Sequence, residues 1–239
     1  MNVMETYNLT LALQDYMPIL FSIIGLYFIS RMVRTIHAQL GTVAIVGSML
    51  IFIGGFLKAT WKLLMALTES QVNIVWFDKG MFLWMAPGFT LVAFSLWLMR
   101  QVQRGALPQR MWLGPGVTLV SLIVAILFTG FPDPAINTWR FILLGVMTIG
   151  NVGMVILLIQ QARDVNQNRL AALFIVHIII IFVLSGLARL PDQSIPLQWT
   201  EQLLNTFAQG IFVYAAWKLS GLAASTPVIS TTRVRMIER

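Results

Sequence analysis

The sequence predicts an all-α membrane protein with seven transmembrane helices, its N-terminus outside and its C-terminus in the cytosol. Three observations carry that prediction. The 239 residues are 58% hydrophobic and only 10% charged, whereas soluble domains carry about 25% charged residues. Apolar runs of about 20 residues recur, long enough at 1.5 Å per residue to cross a hydrocarbon core of roughly 30 Å. The basic residues gather at one set of turns, as retention of Lys and Arg on the cytosolic side requires.

The first run covers residues 11–30. Glu5 precedes it and Asp15 enters it, acids where a secretory leader would be basic, so it reads as a retained helix. The second covers 40–66 and carries Gly54-Gly55; the third, 80–99, carries Pro87-Gly88. The fourth, 111–129, opens with Gly114-Pro115. The fifth, 139–160, includes Asn151, and the sixth, 170–188, includes His177 and Ser185-Gly186. The seventh covers 199–219 and is the most polar, with Glu201, Asn205 and Gln209. Pro18 in the first run and the Gly and Pro pairs just named are five candidate kink sites. Residues 220–239 are small, polar and basic and read as a mobile cytosolic tail. The connections between runs are short and rich in Pro and Asp, too short for a second domain.

Orientation follows from charge. Arg31, Arg34, Arg100, Arg104, Arg110, Arg163, Arg169, Lys218, Arg233, Arg235 and Arg239 fall on one side, which places that side in the cytosol. Lys58, Lys62, Lys79, Arg140 and Arg189 fall on the other, with Glu5, Asp15, Glu69, Asp78, Asp133, Asp192 and Glu201. Trp61, Trp76, Trp139 and Trp199 then form an outer aromatic belt, and Trp112 and Trp217 an inner one. The net charge of +7 is explained by this asymmetry and by anionic inner-leaflet lipid, without nucleic acid. Asn8-Leu9-Thr10 matches a glycosylation sequon on the outer side.

A weak internal repeat sets "IFIGGFLKA" (51–59) against "IFVLSGLAR" (181–189), and "APG" (86–88) against "AQG" (208–210). It implies a 3+1+3 arrangement, two parallel three-helix bundles joined by the fourth helix, with a substrate site between the halves near the midplane.

No enzyme signature is present. The chain has no Cys, which excludes thiol catalysis and thiolate metal sites, and it lacks HExxH and G-x-S-x-G spacings. No Lys lies deep in the seventh run to carry a retinal Schiff base. Of the two His, His37 reads as a solvated turn residue beside Arg34. The sequence names no cofactor and no metal.

The informative residues are polar ones inside the spans, because lipid rejects them and they turn toward a neighbour or a wet cavity. Glu201, Asn205 and Gln209, at i, i+4 and i+8, mark one face of the last helix, read either as interhelical glue or as a cavity wall. His177 stands about 12 Å inside the Arg169 end of its span, at a depth comparable with Asn151, and is expected to share an interior space with Asn151 and Gln209. On its own it reads first as a satisfied core histidine donating to an amide or hydroxyl, and second as a ligand or proton-handling group. Asp15, Lys58, Lys62, Asp78, Arg140, Arg189 and Glu201 all lie at the outer ends, where they are expected to form a salt-bridged lid. The ligand-binding set is therefore His177, Asn151, Glu201, Asn205, Gln209, Arg189, Arg140, Lys58 and Asp15.

The function this suggests is binding or transport of a small solute or lipid through an outward-facing cavity, in the plasma (inner) membrane. The alternative is a receptor-like sensor or accessory subunit acting through a membrane or cytosolic protein partner. The lipid bilayer is the partner common to both.

Overall fold

The computed structural model describes residues 8–106, 112–131, 133, 136–190 and 194–225. Glu5, Arg110, Asp192, and the basic tail beyond Ser225 with Arg233, Arg235 and Arg239, lie outside the described residues. The described chain is all-helical: α1 Leu9–Gln14, α2 Tyr16–Ile36, α3 Ala38–Leu67, α4 Val75–Lys79, α5 Met81–Gln103, α6 Leu113–Phe128, α7 Thr138–Asp164, α8 Asn168–Leu187 and α9 Ile195–Ser225. Five stretches are long and apolar enough to cross a membrane: Leu9–Ile36, Ala38–Leu67, Val75–Gln103, Thr138–Asp164 and Asn168–Leu187. That is the make-up of an integral membrane protein. The other two long helices fall short for opposite reasons. α6 is apolar but has 16 residues, whereas α9 has 31 but carries Glu201, Asn205, Gln209 and Lys218.

Local chemistry sets the helix ends. Asn8 caps α1 by accepting from the Thr10 amide at 2.9 Å. The break at Asp15, between α1 and α2, falls three residues before Pro18, whose ring clashes with the carbonyl four residues back. The α2–α3 turn is a single extended residue, His37, whose Nδ1 accepts from the Leu40 amide at 3.5 Å, so the histidine read as a solvated turn residue is the N-cap of α3. α4 is a five-residue helix in the connection before α5, which the apolar pattern did not predict. Pro115 sits in the first turn of α6, where a missing N–H is harmless, and makes no mid-helix kink. α9 runs through Leu222 to Ser225, so the first residues of the segment expected as a mobile tail are helical.

Six helices close a ring. α2 packs on α3, α3 on α5, α5 on α7, α7 on α8, α8 on α9, and α9 returns to α2. α6 stands outside, against α7 and α5. The main core joins all six ring helices through residues such as Leu26, Val33, Ala44, Leu96, Leu158, Phe174 and Ala216. A smaller core of Ala86, Leu122, Ile126, Trp139 and Leu143 holds α6 to α5 and α7. Trp139 corrects the belt expectation. It is fully buried, with Phe131 edge-on at 5.4 Å and Trp76 stacked at 6.3 Å, because neighbouring aromatics cover it before lipid can. The outer surface is apolar, with Phe128, Phe141, Ile149 and Phe207 at 60–87% exposure, the inverse of a soluble protein's surface.

Candidate functional site

A cavity of about 360 Å³ lies inside the ring and draws its wall from all six ring helices. Along α3 it is lined from Lys62 to Ile51, about 16 Å of helix. Its charged end is formed by Asp15, Lys58, Lys62 and Gln202; Asn151, Gln209 and Phe89 line it further in. One wall is polar, with Gln202, Asn205 and Gln209 of α9 facing Asn151 of α7. The other is apolar and soft, made by Ile51 and Phe52 of α3 and by Met81, Met85 and Phe89 of α5. Of the residues expected from sequence, Asp15, Lys58, Asn151, Asn205 and Gln209 line this space together.

Glu201 is not in the lining; its neighbour Gln202 is. Helix geometry explains the difference. At 3.6 residues per turn, positions eight apart diverge by about 80° around the axis, whereas positions seven apart diverge by only about 20°. The face that looks inward is therefore Gln202, Asn205 and Gln209. The Oε1 atoms of both Glu201 and Gln202 are buried without a hydrogen-bond partner among the described residues.

The charges at this end pair across helices. Lys62 Nζ meets Asp15 Oδ2 at 2.7 Å, tying α3 to the start of α2, and the Asp15 side chain is only 8% exposed. Lys58 pairs with Asp78 of α4 and lies 4.4 Å over the Trp61 ring. Gln14 donates from Nε2 to Thr206 Oγ1 at 3.1 Å, and the Tyr16 and Thr60 hydroxyls meet at 3.0 Å. These links join α1, α2, α3 and α9 around the charged end.

His177 lies elsewhere. It is buried in the α8–α9 seam, with Nδ1 3.0 Å from the Ala208 carbonyl oxygen and its ring stacked on Phe212 at 5.0 Å. It does not line the space shared by Asn151 and Gln209. Ala208 is the reason: a small side chain at that point lets the imidazole reach the α9 backbone. His177→Phe is expected to keep the stacking, lose the hydrogen bond and cost about 1 kcal/mol in thermal unfolding. His177→Ala should cost about 3 kcal/mol by opening a void. Equal costs would show that the ring, and not the polar contact, sets this position.

Arg140 and Arg189 are also outside the lining. Arg140 donates from Nη1 to Asn137 Oδ1 at 3.1 Å and lies 6.0 Å from the Phe82 ring, bracing the start of α7. Arg189 follows the end of α8 and is exposed.

Sequence reasoning missed Gln202, Lys62 as a lining residue, and the apolar wall. It also missed Arg100, which read as an ordinary flanking cation. Arg100 is 5% exposed and bridges α5 to α7 through Asp164 Oδ2 at 2.9 Å and Gln161 Oε1 at 3.3 Å. Nothing in its spacing distinguishes it from Arg104.

Chemically the cavity offers amides, two ammonium groups and one carboxylate, groups that hold a ligand by charge and hydrogen bonds. Among the described residues no group of three or more His, Asp or Glu could hold a metal ion. No family model, curated protein or solved structure matches the chain.

Proposed function

We propose that this protein binds a small solute or lipid-derived molecule in the intra-ring cavity and passes it across the plasma (inner) membrane. The single observation that carries the reading is the cavity itself. It is lined by every ring helix, amide on one wall and apolar on the other, and open enough at its charged end that Lys58 and Lys62 keep 30% and 25% exposure. Binding pockets for small molecules commonly occupy 300–1,000 Å³ and combine an apolar lining with a few placed polar groups. The role is binding and passage, with no covalent chemistry.

The proposed setting is seven spans, N-terminus outside. α9 counts as a span because its polar residues Asn205 and Gln209 face the cavity, where lipid does not meet them. α6, about 24 Å long, spans with help from local thinning of the bilayer. The 3+1+3 organisation draws support from the ring order, in which α2, α3 and α5 are consecutive, α7, α8 and α9 are consecutive, and α6 is excluded. The gathering of Arg31, Arg34, Arg100, Arg104, Arg163 and Arg169 at the opposite helix ends supports an orientation in which the charged end of the cavity faces outside.

The chain contains no Cys, so single cysteines can be read without background. Asn205→Cys and Gln209→Cys are expected to react, in intact cells, with a membrane-impermeant cationic thiol reagent added outside. Ile149→Cys, 75% exposed on the outer surface of α7, should stay unreacted in lipid. Labelling of Gln209→Cys only in inverted vesicles would reverse the orientation. No labelling from either side would remove the cavity as a solute site.

A further inference from the structure

Resting on the cavity reading above, we infer that the ligand is an amphipathic organic anion. Its acid group docks on Lys58 in place of Asp78, and its apolar body lies against Phe52, Met81, Met85 and Phe89.

The charge count of the wall points to an anion. The lining holds two ammonium groups, Lys58 and Lys62, and one carboxylate, Asp15. Lys62 and Asp15 neutralise each other inside the lining at 2.7 Å. Asp15 is thus already occupied, and a cationic ligand would have to break a closed pair. Lys58 is different. Its partner Asp78 is not part of the cavity wall but sits on α4, the five-residue helix outside the ring, with its side chain 24% exposed. Among the described residues, Lys58 is therefore the charge in the lining whose ion-pair partner lies outside the lining.

Asp78 can release Lys58 at low cost. A partly exposed carboxylate keeps some access to water, so a pair at such exposure is weaker than a buried one, whereas a ligand carboxylate or phosphate arriving from within the cavity brings its own apolar contacts. The soft wall of Met and Phe suits an aliphatic or aromatic body without demanding one shape. The cavity volume of about 360 Å³ is at the small end for ligand sites, which favours a single-chain acid over a two-chain phospholipid. The amides of Asn205, Gln209 and Asn151 run beside that body and give it a hydrogen-bonding edge.

The test uses the full chain purified in nonionic detergent and calorimetric titration with octanoate, octanol and octylammonium. Octanoate is expected to bind about tenfold more tightly than octanol, the scale of one charge-assisted contact. Lys58→Gln should erase that preference while leaving octanol binding intact. Asp78→Asn should do the opposite and tighten octanoate several-fold, so a poorly folded Lys58 variant does not leave the question undecided. Octanoate and octanol binding equally, or octylammonium binding best, overturns the inference while the cavity reading stands. No binding by any of the three also overturns it; the cysteine labelling then decides whether the cavity reading falls as well. The acid could come from water or from the bilayer, and oleate supplied in phosphatidylcholine nanodiscs separates the two. Displacement of octanoate supports a lipid-borne acid; octanoate binding that oleate leaves unchanged supports a free one.

Discussion

Gly47→Val should destabilise the protein by about 3 kcal/mol, the upper range for overpacking a close interface. α3 and α5 touch backbone to backbone at this point. A Cβ on Gly47 would lie 2.8 Å from the Gly88 carbonyl oxygen and 2.9 Å from a methyl of Val92, and a Cβ on Gly88 would lie 2.8 Å from the Gly47 carbonyl oxygen. Backbone cannot swing aside as a long side chain can, so the two helices must separate along their whole seam. That seam continues through Ile51 to Gly54, which faces Met81 and Met85. Association of helices in lipid rests largely on such packing, since lipid tails compete equally for apolar side chains. Because Ile51, Met81 and Met85 also line the cavity, the same substitution should alter cysteine labelling inside it. Gly145→Ala is the control: nothing lies within 4 Å of a Cβ there, so it should be neutral or slightly stabilising. Thermal unfolding in detergent reads both. Equal behaviour of the two variants would mean that the helices do not approach closely at Gly47.

This seam also shows what the sequence made legible and what it did not. Gly54-Gly55 and Pro87-Gly88 stood out as unusual inside apolar runs, but a glycine that bends a helix and one that admits a neighbour look alike without knowledge of the neighbour. Run length and apolarity marked the long helices, because crossing a bilayer demands a minimum length of apolar helix, which five of them reach. The polar face of α9 was visible because lipid excludes polar groups; its phase was one residue off, since Glu201 and Gln202 are both polar and only 3.6-fold geometry separates them. Neighbour order was invisible. An apolar surface facing α6 and one facing lipid have the same composition, so nothing indicated that α6 would be left outside the ring. His177 was recognisable as a buried imidazole, but its partner is the Ala208 backbone carbonyl, a group every residue possesses and no side-chain pattern advertises. Trp139 and Arg100 failed for a related reason. Each looked like a boundary residue by position, and each is buried by contacts from distant helices.

Lys62→Met should cost about 3 kcal/mol, the low end for breaking a buried ion pair, while the double variant Asp15→Asn with Lys62→Met should recover most of that loss. The asymmetry between the partners explains the sign. Asp15 is 8% exposed and fixed by its place between α1 and α2, so removing the ammonium 2.7 Å away strands a carboxylate that is poorly solvated. Lys62 is 25% exposed on a long stem. Asp15→Asn alone should therefore cost only about 1 kcal/mol, since the lysine can extend its head toward the headgroups. The other pair at this end provides the comparison. Lys58 and Asp78 are 30% and 24% exposed, and Asp78→Asn should change stability by less than about 1 kcal/mol, as for partly exposed pairs in general. One pair is then a structural tie between α2 and α3, and the other a contact that can be exchanged. That contrast is what allows a ligand acid to take Lys58 while Lys62 stays committed to Asp15. Unfolding temperatures of the three single variants and the double decide it: if Lys62→Met and Asp78→Asn prove equally costly, the division of labour between the two lysines is wrong, and Lys58 is no freer to receive a ligand than Lys62.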